Sequence, residues 1–379
     1  MRTTIGRVLP WIALAAAPAA AQEPVSFTDG RWELSPKGVS VERVDGRDAL
    51  AFETGVATRR DVKLQDGTIE MDVQVTRRRS FVYVTFRMQD DLEYEDFYMR
   101  PHKSGLPDAL QYAPVYQGQS AWQLYHGPGA TAPVEFQPGV WTRLRLVVQG
   151  QRAAVYLGSG DRPALVARLA RESKAGYIAL RAFLPPDTPG AGPIARFANV
   201  TVRPNVVPFD FGTLPVEAPA IPPGVVRRWA LSKAIPVLDA ASAALPAADA
   251  LGRLQTVDAR PGGLVELHRF VTLPEGSRVG ACVARLHVRA AKAGAVAFDL
   301  GYSDRATVFL NGRPLYYGDQ SYRFDAPRRE GLIGYDQARV YLPLEAGENE
   351  LAVLVSDGFG GWGLMGRFAD MAGLELDAR

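Results

Sequence analysis

The feature that most constrains the fold is a grammar of short segments. Runs of about 5 to 8 residues alternate or stay apolar between Gly, Pro, Asn and Asp, and helical periodicity is nearly absent. The first half offers RWEL, VSVERV, ALAFE, GTIEMDVQV, FVYVTFRM, DFYMRP, LQYAP, WQLYH, WTRLRLVVQ, RAAVYLG, GYIALRAF and ARFANVTVR as strands. The second half offers GLVELHRFVTL, ACVARLHVRA, GAVAFDLGY, ATVFLNG, RPLYYG, ARVYLPL and ELAVLVSD. Successive side chains of a strand point to opposite faces, so such segments bury an apolar face only by stacking sheet on sheet. The expected fold class is therefore all-β, with two β-sandwiches. TRLRLVV and AAVYLG around Gly150 read as a hairpin. Asn311-Gly312 reads as a second one, because both central residues of a type I′ turn need positive φ. The Ala-rich centre of WALSKAIPVLDAASAALPAADALGRLQTVDA is the one candidate for a short helix.

Between Pro204 and Gly224 the chain carries Pro208, Pro215, Pro219, Pro222 and Pro223 without periodicity, the mark of a semi-rigid extended connector. It divides the chain into a sandwich at 22–204, a linker at 205–225 and a sandwich at 226–379. At the N-terminus Arg2 and Arg7 precede an apolar run from Val8 to Ala20 and the small-residue site Ala19-Ala20-Ala21. That is the pattern of a cleaved signal peptide over 1–21, which implies a periplasmic or extracellular protein. The run falls short of the roughly 20 residues of a membrane span, so none is expected. With the single cysteine Cys282, no disulfide within the chain is expected. Cys282 lies in the alternating segment GACVARLHV as a small buried hydrophobe, and His287 falls on the opposite strand face. A net charge of +2 from 43 basic and 41 acidic residues gives no footprint for nucleic acid. Arg77-Arg78-Arg79 reads as a solvated turn.

Residues Tyr94 to Gly127 concentrate Arg, His, Asp, Gln, Tyr and Trp. Buried polar groups each need a partner, at a cost of about 1–3 kcal/mol if they lack one, so a core strand would not hold so many. Rings that stack on sugars, beside planar groups that meet hydroxyls in pairs, make this a carbohydrate-binding surface in expectation. Its candidate ligand-binding residues are Arg87, Tyr98, Arg100, His102, Asp108, Gln111, Tyr112, Trp122 and Tyr125. Regular alternation puts Tyr98, Arg100 and His102 on one face, and His102 is the candidate general acid/base because its ordinary pKa lies near neutrality. Glu70 and Asp72, two residues apart in GTIEMDVQV, also share a face. The acidic run Asp90, Asp91, Glu93, Glu95 and Asp96 makes Ca²⁺ the one candidate cofactor, although its spacing is not that of an EF-hand. Asp357-Gly358-Phe359-Gly360-Gly361-Trp362-Gly363 lacks the Lys and the helix of a phosphate-binding loop. Trp362, with Tyr316 and Tyr317, is either an exposed sugar platform or packing at the sandwich end. His126, His268 and His287 lack zinc-ligand spacing.

The first half resembles the concanavalin A-like lectin/glucanase jelly roll, in the laminin-G-like branch that includes keto-disaccharide hydrolases. The resemblance rests on GTIEMDVQV, FVYVTFRM, GVWTRLRLVVQGQRAAVYL, GYIALRAF and ARFANVTVRP. The second half resembles the galactose-binding-like jelly roll through SDRATVFLNGRPL, VYLPLEAGENELAVLVSD and GGWGLMGRF. The first resemblance implies a concave, saccharide-binding sheet face. It also implies an enzymatic alternative, a glycoside hydrolase with His102 or Asp108 as acid/base and Glu70 or Asp72 as its carboxylate partner. Glu70-x-Asp72 is similar to the start of the Glu-x-Asp-x-x-Glu motif of one glucanase branch, but Gln74 and Val75 stand where its last Glu is expected. A third alternative gives the same aromatic patch to a protein partner.

Overall fold

The computed structural model describes residues 26–213, 221–237, 244–323 and 330–378. The expected signal peptide and the middle of the connector lie outside the described residues. Helix is confined to four residues, Ala248–Leu251, and three short 3-10 turns among the described residues. All strand pairing is antiparallel, in four sheets.

Sheet I runs in the order Trp32–Leu34, Gly55–Leu64, Gly176–Phe183, Phe81–Met88, Tyr94–Met99, Leu110–Tyr116, Thr131–Ala132, with Gln119–Ser120 also on Leu110–Tyr116. Sheet II runs Leu165–Arg168, Arg152–Leu157, Thr142–Gln149, Gly67–Val75, Ala195–Pro204, Arg47–Phe52, Val39–Val44. Alternation sorts each strand. Val82, Val84 and Phe86 of sheet I and Ile69, Met71 and Val73 of sheet II fill the shared core. Tyr83, Thr85, Glu70 and Asp72 point out of it. The strand Gly55–Leu64 is hidden from a hydrophobicity reading by its charged centre Arg59-Arg60-Asp61.

Sheets III and IV form the second sandwich, from Arg228–Leu231 to Leu374–Asp377, around Trp229, Phe298, Tyr302, Trp362 and Phe368. Trp362 is fully buried, which decides for packing over an exposed platform. Both expected hairpins form. Gln149 pairs with Arg152, and Leu310 pairs with Arg313 across Asn311 and Gly312, whose φ values of 50° and 76° are those of a type I′ turn. Cys282 is a buried free thiol, pushed up in pKa by that burial.

Two expectations are corrected. Arg78 is no idle solvated residue: its guanidinium donates to the carbonyls of Pro189, Gly190, Ala191 and Gly192 and clamps that loop. The segment WQLYH is not a strand. Its backbone makes no strand ladder, and Gln123 is tied to the second sandwich: Gln123 N–H donates to Gly360 O at 2.9 Å, and Gln123 O accepts from Ile333 N at 3.1 Å. The Gln123 side chain adds bonds to Glu330 O (2.8 Å) and Ser303 Oγ (3.0 Å). Gly360, at φ +98°, would be strained as any other residue, and a Cβ there would stand 2.5 Å from Gln123 Oε1 and displace that side chain. Gln117 reaches His268 O and Val271 O at 2.7 and 2.9 Å, so the two sandwiches meet along the segment 117–126.

Candidate functional site

The outer face of sheet I collects polar side chains from strands remote in sequence. One row runs Val56, Arg181, Tyr83, Tyr98, Gln111 and the next Thr58, Ala179, Thr85, Asp96, Ala113. Between them Arg181 Nη1 meets Asp96 Oδ2 at 3.1 Å, while Thr85 Oγ1 donates to Asp96 Oδ1 at 2.5 Å. The Arg181 guanidinium lies 4.9 Å from the centroids of both Tyr83 and Tyr94. Burial raises the Asp96 pKa, opposed by the Arg181 charge and the Thr85 bond. Burial, and then the Asp96 charge, push Tyr94 up to about 12, so its hydroxyl stays a donor at any physiological pH.

Above this pair opens a cavity of about 450 Å³. Arg181, Thr85, Thr58, Val56, Tyr94 and Met88 line it, with Arg60 and Asp91 beside them and the edge segment Glu33 to Pro36 as a wall. Toward the other edge of the same face the segment 122–125 lies over the last long strand, since Gln111 Nε2 donates to Trp122 O (2.8 Å) and Tyr125 O (2.5 Å). The recess itself is polar, with Tyr94 as its aromatic lining residue.

Of the sequence candidates, Tyr98, Arg100, Asp108, Gln111 and Trp122 come together. Arg100 donates to Tyr98 Oη at 2.6 Å and to Asp108 O and Oδ2 at 2.8 Å each, and its plane covers the rings of Tyr98 (4.7 Å) and Trp122 (5.6 Å). Tyr98 Oη donates to Gln111 Oε1 at 2.6 Å. Tyr98, Arg100 and Gln111 are only 3, 4 and 1% exposed, so they form a buried layer further along the same face, outside the cavity lining.

Four other candidates stand elsewhere. Arg87 adopts φ 50°, which breaks alternation and sends its guanidinium off the face, to Gln65 O (2.8 Å), Gly150 O (2.6 Å), Asp66 (3.1 Å) and Ser173 (3.0 Å). Tyr112 is one pleat out of phase with Gln111 and points into the core, where it donates to Glu95 at 2.5 Å and accepts from Ala170 N at 2.6 Å. Tyr125 donates to Glu266 Oε1 of the second sandwich at 2.5 Å. His102 sits in the 3-10 turn Pro101–Lys103, with Nδ1 3.1 Å from Ser80 O and its ring edge-on to Phe81. Burial, aided by the charges of Arg100 and Lys103, lowers its pKa to about 4, so it is neutral at pH 7.

The carboxylates of the enzymatic alternative are divided between two sheets. Glu70 and Asp72 face outward from sheet II, where Arg203 and Arg143 hold Glu70, and Asn199 Nδ2 (2.6 Å) and Arg143 (3.4 Å) hold Asp72. Asp108 is held by Arg100 and by Lys103 Nζ (2.5 Å) beside sheet I. Packed sheets lie about 10 Å apart, whereas a retaining pair of carboxyls needs about 5–5.5 Å. The acidic run also diverges: Asp90 caps Leu92 N, Glu93 pairs with Arg171, Glu95 turns inward and Asp96 outward. Among the described residues no group of three or more His, Cys, Asp or Glu side chains could hold a metal ion.

Asp96 was legible only as the last member of the acidic run and Arg181 only as the lone charge of the strand GYIALRAF, and Thr58 and Thr85 carried no signal.

No protein-family model and no curated protein matches the chain. Among solved structures it is similar to the carbohydrate-binding module CBM66 from Bacillus subtilis, at 15% identity and TM-score 0.34 over 45% of this chain and 94% of that one. It is similar to a Bacillus licheniformis β-glucanase at 11% identity and TM-score 0.37, over 48% of this chain and 95% of that one. Sheep galectin-11 is similar at 12% and TM-score 0.28, over 40% and 97%. At such identities and scores the likeness identifies neither ligand nor activity.

Proposed function

We propose that the protein is an exported carbohydrate-binding protein that takes a saccharide in the recess on the outer face of sheet I. The observation that carries this reading is Arg181, locked between two tyrosine rings and a buried carboxylate at the floor of a 450 Å³ cavity. A guanidinium has five N–H donors, more than Asp96 and Tyr94 can take, and its plane is set before any ligand arrives. Thr58 and Thr85 add hydroxyls, and Tyr94, the aromatic residue of the cavity lining, offers apolar surface to a pyranose. Arg181 is matched by Asp96 and Arg60 by Glu33 at 2.5 Å, and Asp91 adds a further carboxylate, which favours a neutral polyol over an anion. Tyr98, Arg100, Asp108, Gln111 and Trp122 lie further along the same face, outside the cavity lining.

The test is a panel of oligosaccharides, oxidised keto-disaccharides included, read by thermal shift and by reducing-end release on the same samples. Binding without release is expected. Val56→Trp, which fills the cavity from a partly exposed position, should abolish the shift while the midpoint of the free protein moves by only a few degrees. Undiminished binding by the filled variant would move the ligand elsewhere. Reducing-end release would make the protein a hydrolase.

A further inference from the structure

From the recess a ladder of rings and guanidinium planes crosses the outer face of sheet I. Tyr94 contacts Arg181 at 4.9 Å, Arg181 contacts Tyr83 at 4.9 Å, and Tyr83 stacks on Tyr98 with centroids 5.1 Å apart. Arg100 continues it, 4.7 Å from Tyr98 and 5.6 Å from Trp122. The ladder ends in a trio built by both sandwiches. Trp122 meets Tyr322 at 5.7 Å and Phe359 at 6.2 Å, and those two rings meet each other at 5.9 Å.

Phe359 is the unusual member. It is 50% exposed, although it sits in a loop whose backbone is firmly placed: the N–H groups of Gly358 and Phe359 both donate to Asp304 Oδ2 at 2.6 Å. A large ring held rigidly half out of water, with no place in the second core, is surface that gains by being covered. Lys103, Asp108 and Glu330 lie nearby as a linked set of charges able to meet hydroxyls.

We propose that Trp122, Tyr322 and Phe359 form a second sugar subsite, so that the ligand is an oligosaccharide reaching from the recess to the seam between the sandwiches. This rests on the carbohydrate reading above. The strand that carries Arg181 and the strand on which the Trp122 segment lies are three strand spacings apart, about 14 Å. A disaccharide bridges that gap poorly and a longer chain bridges it well. The middle of the ladder is buried, so the two subsites are separate points of contact whose spacing the stack fixes.

The test titrates wild type, Phe359→Ala and Val56→Trp with a homologous series of neutral oligosaccharides, from one sugar unit upward, by calorimetry. Wild-type affinity should rise with chain length. Phe359→Ala should lose about tenfold on the longest members and nothing on the shortest, the loss expected for one stacked ring. Tyr322→Ala serves as the second variant, and thermal midpoints check that each folds. Length-independent wild-type affinity, or a Phe359→Ala protein that binds the whole series as wild type does, would overturn the subsite. In that case the loss on Val56→Trp still supports the recess. A wild type that binds no member of the series would overturn both readings.

Discussion

The two outer faces of the first sandwich are built from the same materials and end up opposite in character. Sheet II sets Glu70 and Asp72 among Arg143, Arg203, Arg47 and Asn199, and sheet I sets Asp96 among Arg181, Thr85 and two tyrosines. On sheet II the ion pairs are better exposed, with Glu70 and Asp72 at 16 and 17% and the Arg143 side chain at 41%, against 26% for Arg181 on sheet I. On sheet I the Asp96 side chain is 2% exposed, because rings flank the guanidinium and an edge strand rises beside it. Charge pairs on an open face are screened and worth little, whereas a recessed pair is costly to break and presents its donors in a fixed direction. Recession, more than residue type, therefore distinguishes a site from a solvated lattice.

The sharpest way to break this comparison is to remove the arginine from each face. Arg181→Ala should cost about 3 kcal/mol of unfolding free energy, since it strands a buried carboxylate. Arg203→Ala should cost less than about 1 kcal/mol. Urea midpoints decide, and equal losses would mean the recess is as well solvated as the open face.

A smaller effect is expected from pH. His102 is depressed to about 4 from an ordinary 6.5, so the unfolded chain binds its proton first as pH falls. Its stabilising contribution is present above pH 6.5 and is lost as pH drops toward 4. Glu95 has the opposite sign. Burial raises it to about 7, so its contribution is present below its unfolded pKa near 4.5 and is lost as pH rises through 7. His102→Gln should therefore flatten the fall in stability between pH 6.5 and 4, and Glu95→Gln should flatten the decline between 4.5 and 7. Denaturation curves at several pH values read both slopes, and unchanged slopes would place both groups in water.

The smallest effect belongs to Glu70→Gln. It should shift stability by no more than about 1 kcal/mol, less again in high salt, and leave saccharide binding unchanged. A loss of binding in that variant would return the functional face to sheet II.

Much of the fold was legible in the sequence. Period-two alternation declared the strands, Gly150 and Asn311-Gly312 declared two hairpins, and the absence of helical period declared the class. The site was legible only in part. Tyr98, Arg100, Asp108, Gln111 and Trp122 do converge, because they lie close in sequence on neighbouring strands and their connecting turns. Arg87 and Tyr112 escaped the reading for local reasons: a positive φ turns Arg87 off its face, and the pleat phase sends Tyr112 inward.

Which residues form strands, and which side chains within a strand share a face, can be read from the chain, since both follow from backbone geometry over a few residues. Which strands lie side by side is set only when distant segments pair. Gly176–Phe183 inserts between Gly55–Leu64 and Phe81–Met88, and that long-range pairing brings Arg181 to Thr58, Thr85 and Asp96. Hydrogen bonds between strands a hundred residues apart leave no periodic trace in the chain. The recess, like the aromatic trio at the seam, exists only once the sheets have closed.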